Sequence, residues 1–163
     1  MSERSFPVQY VFLACMRQHT PVREQPLNSN RGQMVEAYQA ACGGRPGDSW
    51  CMDLQNYVGH TAFGMAWPLR MTGSTNEAAA DAKAKMLLFE SSEAEPGDIF
   101  LLYSQKDRIF HHAGAVAGII TNGSFPTYEG NTNRDGSSNG YGFFAKSRQV
   151  RGGDKVIKWH RAI

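Results

Sequence analysis

The segment EPGDIFLLYSQKDRIFHHAGAVAGII, residues 95–120, is where the sequence changes from helical to strand periodicity. Its two apolar runs, DIFLLYS (98–104) and HHAGAVAGII (111–120), predict β-strands, and the polar residues QKDR between them predict a connecting turn. Three further strands are predicted downstream, in FPTYEGN (125–131), GYGFFAKSRQV (140–150) and KVIKWHRAI (155–163). This half of the chain therefore predicts a sheet of about five strands.

The residues before this segment have helical spacing instead. Candidate helices lie in NSNRGQMVEAYQAACGG (28–44) and in residues 50–60. A third helix is predicted after Ser74, an N-cap whose capping-box partner is Glu77. Helices first and strands afterwards predict an α+β domain in which N-terminal helices pack on an antiparallel sheet.

Length limits the domain organisation. A chain of 163 residues fits a single domain, residues 1–163, and can bury a core without disulfides or metals. We expect residues 1–27 to form an irregular lead-in and residues 28–160 to form the core. Within the lead-in, the apolar residues 8–16 fit either a strand or a buried helical turn.

Charge and cysteine content argue against several functional classes. The formal net charge is +2 and no run of Lys or Arg is present, which argues against nucleic-acid binding. The chain has three cysteines, Cys15, Cys42 and Cys51, and no CxxC pair. Because the number is odd and the spacing is wide, neither a disulfide framework nor a zinc site is expected. The apolar run near the start is too short to span a membrane, and no export signal is evident.

Cys51 differs from the other two cysteines because it follows the turn GDSW (47–50) and begins a predicted helix. Unpaired N–H groups and the positive end of the helix dipole stabilise a thiolate at such a position. Cys51 is therefore a candidate nucleophile. The alternative is an inert side chain, since free cysteine is often buried.

A nucleophilic cysteine needs a base, and the chain has five histidines. His111 and His112 open a predicted strand, where alternation places their side chains on opposite faces, so only one can face a packed helix. The next strand carries Glu129 and Asn131 on one face. An acceptor there would take the Nδ1–H of that histidine and hold the ring in its reactive tautomer. The alternative for Glu129 is an exposed carboxylate on an edge strand, and the alternative for Asn131 is a turn residue.

Four motifs follow one another along the chain: GDSWCMDLQNYV (47–58), EPGDIFLLYS (95–104), HHAGAVAGII (111–120) and YEGNT (128–132). In this order they resemble the motifs of the CHAP domain, a family of cysteine- and histidine-dependent amidohydrolases and peptidases. The Asn-Arg-Gly segment at 30–32 also resembles the lead-in of bacterial and phage members. The resemblance covers most of the chain. It implies a papain-like, NlpC-like fold.

The resemblance also implies roles for individual residues. Cys51 corresponds to the nucleophile, and His112 corresponds to the base better than His111 does. Glu129 corresponds to the acidic or amide residue on the next strand, and Asn131 to a further polar residue. Oxyanion or substrate contacts are assigned to three neighbouring candidates: Trp50, Gln55 and Tyr128.

By the same resemblance, the substrate is bacterial peptidoglycan, cut at the muramoyl–L-alanine amide or at a peptide bond of the stem or cross-bridge. No cofactor is implied. Many phage members carry an Asp-rich calcium loop before the cysteine, but here only Asp48 precedes it and Asp53 follows, which is too few oxygens for a calcium site. We expect a monomer that acts on the cell wall after release or delivery.

Two other functions remain open from the sequence. A catalytically inactive domain with the same cleft would bind cell-wall peptide or a partner protein. The same hydrolase could also serve as an antibacterial toxin, with an immunity protein as its partner. A cysteine that reacts preferentially with thiol reagents near neutral pH distinguishes the enzyme from the binding domain.

Overall fold

A computed structural model describes residues 7–135 and 139–163 of the chain. The helices come first: α1 Val8–Arg17, α2 Gln33–Ala41, α3 Cys51–Phe63 and α4 Thr75–Ala84. The strands follow: β1 Leu88–Glu90, β2 Ile99–Ser104, β3 Ile109–Val116, β4 Ser124–Thr132, β5 Gly142–Gln149 and β6 Lys155–Ile157. Short 3-10 helices occupy Gly64–Ala66, Ser91–Glu93 and Trp159–Ala162. The predicted α+β class is confirmed.

The strands form one antiparallel sheet in the order β1-β6-β2-β3-β4-β5. The predicted hairpin of β2 and β3 is confirmed at its centre, although β3 begins at Ile109 and ends at Val116. The strand expected over 155–163 ends early, because the chain enters a 3-10 helix at Trp159. The indole N–H of Trp159 donates to Gly97 O at 2.7 Å, which fixes this turn in the core.

The sheet has a sixth strand that the periodicity did not indicate. α4 ends at Ala84, and Met86 then adopts a left-handed backbone conformation with φ of 58°. The chain leaves this turn as β1, in which Leu88 pairs with Ile157 of β6. Three residues are too few for an alternating pattern to be recognised in the sequence.

Residues 8–17 form a helix, so the helical one of the two alternatives for residues 8–16 is correct, and the lead-in over 1–27 is not irregular throughout. Three buried side chains of α1 lie at helical spacing: Phe12, Leu13 and Met16. Phe12 packs on Trp159 with ring centroids 5.2 Å apart. The helix therefore belongs to the core. Residues 1–6 of the expected lead-in lie outside the described part of the chain.

The predicted N-cap of α4 is confirmed. Ser74 Oγ accepts a hydrogen bond from the backbone N–H of Glu77 at 3.2 Å. The Glu77 carboxylate accepts from Thr72 Oγ1 at 2.8 Å, so the reciprocal half of the capping box is replaced by a neighbouring hydroxyl. α4 is joined to β3 by Thr75 Oγ1, which donates to Phe110 O at 2.5 Å.

Helix α3 determines where the candidate site lies. It packs against α1, α2, β3 and β4. Its close approach to β4 requires Gly130, where a Cβ atom would lie 2.5 Å from the Trp50 ring and 2.6 Å from Leu54. The N-terminus of α3 is thereby held against the sheet. None of the described helices combines the length and apolar character needed to cross a bilayer.

Candidate active site

Cys51 is the first residue of α3 and is 3 % exposed. The helix begins here because Trp50 O accepts from the N–H of Leu54 at 3.1 Å. The preceding turn is held by Gln39, whose side-chain nitrogen donates to Asp48 O at 2.7 Å. This confirms the predicted setting of Cys51 at a helix N-terminus, where the helix dipole favours negative charge.

His111 and His112 have opposite environments on β3. His111 is exposed and His112 is fully buried, which confirms that strand alternation separates them. A bulge in the β2–β3 pairing skips His111, because Leu102 pairs with His112 and Tyr103 pairs with Phe110. His112 is therefore the histidine that faces the interior.

A carboxylate on the next strand holds the buried histidine. His112 Nε2 is 2.8 Å from Glu129 Oε2, and both side chains are fully buried. The bond differs from the predicted one through Nδ1, because the carboxylate on β4 meets the Nε2 edge of the ring. Within the described residues, Nδ1 has no hydrogen-bond partner. The thiol of Cys51 is the other ionisable group that interacts with this ring, so Nδ1 is the nitrogen left to exchange a proton with it.

The charge state of this pair follows from competing effects. Burial would lower the pKa of His112, but the interactions with Cys51 and Glu129 outweigh it and raise the pKa to about 9. Burial likewise opposes ionisation of Glu129, yet its bonds with His112 and Arg148 hold the pKa of the carboxyl well below its usual range. Near neutral pH the histidine is therefore an imidazolium and the glutamate a carboxylate. An imidazolium beside a thiol is the arrangement that generates a thiolate nucleophile.

Two residues that the sequence analysis did not identify donate hydrogen bonds to the Glu129 carboxylate. Arg148 on β5 donates to Glu129 Oε1 through Nε at 2.8 Å and to Oε2 through Nη2 at 2.5 Å. Thr127 Oγ1 donates to Oε1 at 2.6 Å. The available signal for Thr127 is its position two residues before Glu129, on the same face of the strand. Arg148 has no such local signal, because its contact depends on the β4–β5 register.

Asn131 is fully buried, but it supports the start of α3 and not the histidine ring. In the amide orientation that gives each atom a complementary partner, its nitrogen donates to Gly140 O at 2.9 Å and Asn30 Oδ1 at 3.1 Å. Its oxygen accepts from the backbone N–H of Trp50 at 3.3 Å. Asn131 thus connects β4 to the residue that precedes Cys51.

Trp50 lies in the core and does not line a groove. Its indole N–H donates to Glu24 Oε1 at 2.8 Å, so this group is not available to an oxyanion. Glu24 is itself buried, and its Oε2 accepts from the backbone N–H of Asn30 at 2.9 Å. A buried glutamate within the expected lead-in therefore holds the turn before the cysteine, a role that its position in the sequence did not suggest.

The other two predicted contacts differ in what they can offer. Tyr128 packs on Phe143 with ring centroids 6.0 Å apart, and strand alternation places it on the opposite face of β4 from Glu129. Gln55 is fully buried one turn after Cys51, and neither atom of its amide has a hydrogen-bond partner in the described part of the chain. Because helical side chains tilt toward the N-terminus, Gln55 is the better placed of the two to donate near the sulfur.

The groups behind Cys51 do not form a second reactive centre. Burial, together with the nearby Asp53, raises the pKa of the Cys42 thiol far above its usual range, which keeps it protonated. Burial also raises the pKa of Asp53 to about 7. Asp48 Oδ2 accepts from the backbone N–H of Arg45 at 2.7 Å. Two such carboxyl groups fit a calcium ion poorly, since calcium takes six to eight oxygen ligands.

Among the residues that the structure describes, one set of side chains has donor atoms close enough together to hold a metal ion. Atoms of Glu95, Asp98 and His160 lie within 4.8 Å of one another. The Lys158 ammonium is already among them, 2.9 Å from Glu95 Oε2 and 3.1 Å from Asp98 Oδ2. A protein cation thus balances these carboxylates, and the set is better explained as an ion-pair cluster.

No protein-family model matches the chain, and the comparison with curated proteins finds no match. The function is therefore inferred from the chemistry of the site, since a fold class alone does not determine an activity.

Proposed function

We propose that this protein is a cysteine amidohydrolase of the CHAP type, with a papain-like, NlpC-like fold, that cuts an amide bond of bacterial peptidoglycan. One observation carries the proposal: Cys51 opens α3 and interacts with His112, whose Nε2 is bonded to the buried Glu129. A nucleophile, a base and a group that orients the base are what acyl transfer by a thiol requires.

The order of the elements supports the assignment to this class. The cysteine begins a helix that packs on an antiparallel sheet, the base lies on β3 at the centre of that sheet, and the carboxylate lies on the adjacent β4. This is the arrangement implied by the resemblance of the four sequence motifs. The peptidoglycan substrate is inferred from the resemblance alone.

When the reaction begins, the proton of the Cys51 thiol already lies on His112 Nδ1, so the two groups are a thiolate and an imidazolium. The sulfur attacks the carbonyl carbon and forms a C–S bond, and the tetrahedral intermediate then breaks its C–N bond while His112 returns the proton to the leaving nitrogen. Water attacks the resulting thioester and gives one proton to His112. The second tetrahedral intermediate breaks its C–S bond and releases the carboxylic acid. This restores the thiolate and the imidazolium, and no redox change occurs.

The oxyanion of the tetrahedral intermediate needs hydrogen-bond donors. The backbone N–H of Cys51 lies at the N-terminal end of α3, and the buried amide of Gln55 supplies a side-chain donor. Removal of one such donor costs about 3–4 kcal/mol of activation free energy in comparable enzymes.

Digestion of purified sacculi tests the proposal. We expect the wild-type protein to release soluble fragments, and mass spectrometry of their new termini identifies the bond that is cut. Cys51→Ala removes the nucleophile and should lower the rate by a factor of about 10³ or more. Thermal unfolding should change little, since the substitution removes only the sulfur atom and leaves the rest of the helix start unchanged.

Cys42→Ala is the matched control, because it removes a thiol that burial keeps protonated. We expect this variant to keep its activity. Hydrolysis that survives Cys51→Ala contradicts the mechanism. Binding of wild-type protein to sacculi without release of fragments contradicts the enzyme and favours a binding domain.

A further inference from the structure

Arg148 lies on β5 with its side chain 16 % exposed, and its guanidinium bonds both oxygens of Glu129. The Oε1 atom accepts from Arg148 Nε and Thr127 Oγ1, and the Oε2 atom is bonded to Arg148 Nη2 and His112 Nε2. The carboxylate therefore has two hydrogen bonds on each oxygen. A planar guanidinium makes such a two-pronged bond, which a lysine ammonium does not reproduce.

The register of the sheet explains why an arginine reaches this carboxylate. Glu129 pairs with Phe144 and Phe125 pairs with Arg148 in the β4–β5 ladder. With a side-chain period of two, residues 125, 127 and 129 share one face with residues 144, 146 and 148. The long side chain of Arg148 runs back along this face, past Thr127, to the position of Glu129.

The charges of the four side chains then balance in two pairs, Arg148 with Glu129 and His112 with Cys51. An arginine is charged at every accessible pH, so it neutralises Glu129 whether or not His112 carries a proton. A protonated His112 therefore adds one uncompensated positive charge to a buried site. The thiolate of Cys51 is the group whose charge compensates it.

We propose that Arg148 is a positioning residue for the site: it neutralises Glu129, so that the Cys51 thiolate becomes the counter-ion of the His112 imidazolium. The catalytic meaning of this arrangement rests on the proposed function. The electrostatic link between Arg148 and His112 does not, and it is measurable in an inactive protein.

Other charged groups lie around the cluster and define the control. His111 neighbours His112 on β3, and it interacts electrostatically with Asp154, Arg151 and Arg148. Lys146 lies on the same face of β5 as Arg148, and its ammonium donates to Thr132 Oγ1 at 3.1 Å and Asn133 O at 3.0 Å. Lys146→Met thus removes a positive charge from the same strand without breaking a hydrogen bond to Glu129.

An NMR pH titration of the His112 ring, on protein with labelled histidine, tests the link. Without Arg148, the uncompensated carboxylate should bind the histidine proton more tightly. We expect Arg148→Met to raise the titration midpoint of His112 by about one pH unit, a tenfold gain in proton affinity. Lys146→Met should move it by less than about a third of that, and Arg148→Lys, which keeps the charge, should leave it near the wild-type value.

A shift in Arg148→Met no larger than that in Lys146→Met, or a downward shift, overturns the inference. Should Arg148→Met fail to fold, Arg148→Gln keeps two side-chain donors without the charge and carries the same expected shift. If sacculi are not cut but the midpoint rises as expected, the proposed function fails and the role of Arg148 in the charge balance stands. If sacculi are cut and the midpoint does not move, the proposed function stands and the role of Arg148 in the charge balance fails.

Discussion

Two clusters of charged side chains in the described part of the chain are largely buried, and they differ in one respect. Each cluster joins a histidine to a carboxylate and a cation. The site cluster consists of Cys51, His112, Glu129 and Arg148. The Lys158 cluster consists of Glu95, Asp98, Lys158 and His160. In the Lys158 cluster, both nitrogens of His160 are occupied, by Asp98 Oδ1 at 2.9 Å and Gln9 Nε2 at 3.0 Å.

The ammonium of Lys158 is equally well satisfied. It is bonded to Glu93 O at 2.7 Å, to Glu95 and to Asp98, which uses its three protons. His112 instead keeps Nδ1 without a hydrogen-bond partner among the described residues. The comparison teaches that a fully bonded buried cluster holds structure together, whereas a buried nitrogen left unused beside a thiol is available for proton transfer.

The largest expected effect separates the two histidines. His112→Ala removes the proposed base and should lower the rate of sacculus hydrolysis by a factor of about 10³. His160→Ala should change the rate per folded molecule by less than about twofold, since both of its nitrogens serve structural bonds. His111→Ala should also be mild, because His111 is exposed. A complete loss in His111→Ala with an active His112→Ala would exchange the two assignments.

The next largest effect is on stability and belongs to the Lys158 cluster. Asp98→Ala leaves the buried Lys158 ammonium short of its main partner and should lower the free energy of unfolding by about 3–5 kcal/mol. Urea denaturation measures this loss. Glu95→Gln is the control, because Glu95 is 54 % exposed and should contribute less than about 1 kcal/mol. Equal losses in both variants would show that the cluster is not held by its buried pair.

Glu129→Gln should have a smaller effect on activity than His112→Ala. The amide still accepts from Arg148 and Thr127 but no longer holds the imidazolium by charge, so the base is oriented less well. We expect its loss of rate to be at least tenfold smaller than that of His112→Ala, by analogy with the unequal members of other triads. Initial rates on sacculi at fixed pH measure the difference, and a larger loss in Glu129→Gln would give the carboxylate a direct chemical role.

The last expected effect is the pH dependence of stability, which is spread over more than two pH units and is therefore small at any one step of pH. The pKa of His112 is raised above its ordinary 6.5 to about 9, so the folded state binds this proton more tightly than the unfolded state. The resulting stabilisation is fully present below pH 6.5 and is lost as the pH rises toward 9. Urea denaturation across this range should show a decline in wild-type protein that is reduced in His112→Asn. Parallel curves for the two proteins would mean that His112 does not retain its proton in the fold.

Local patterns indicated Cys51, one of the two neighbouring histidines and the polar residues on the next strand, and the resemblance of the four motifs then favoured His112 and Glu129. Cys51 follows a turn and opens a helix, and His112 and Glu129 occupy alternating positions on neighbouring strands. Each of these features is encoded within a few residues. The helical and strand halves of the chain could be separated for the same reason, because the hydrophobic period changes between them.

The features that were missed depend on contacts between distant segments. Arg148 meets Glu129 only because of the β4–β5 register, and Glu24 meets Trp50 only after the N-terminal residues fold over the start of α3. β1 is too short to show a period. α1 is stabilised by packing on Trp159 from the opposite end of the chain, so its own ten residues left strand and helix equally open.

The site cluster is assembled from α3, β3, β4 and β5, so its four side chains meet only when the last of these strands has joined the sheet. Pairings so far apart along the chain close late, because the entropy of long loops must be overcome first. A newly made or partly unfolded molecule therefore has the residues of the site cluster but not their arrangement. The charge balance among these four side chains is a property of the finished fold.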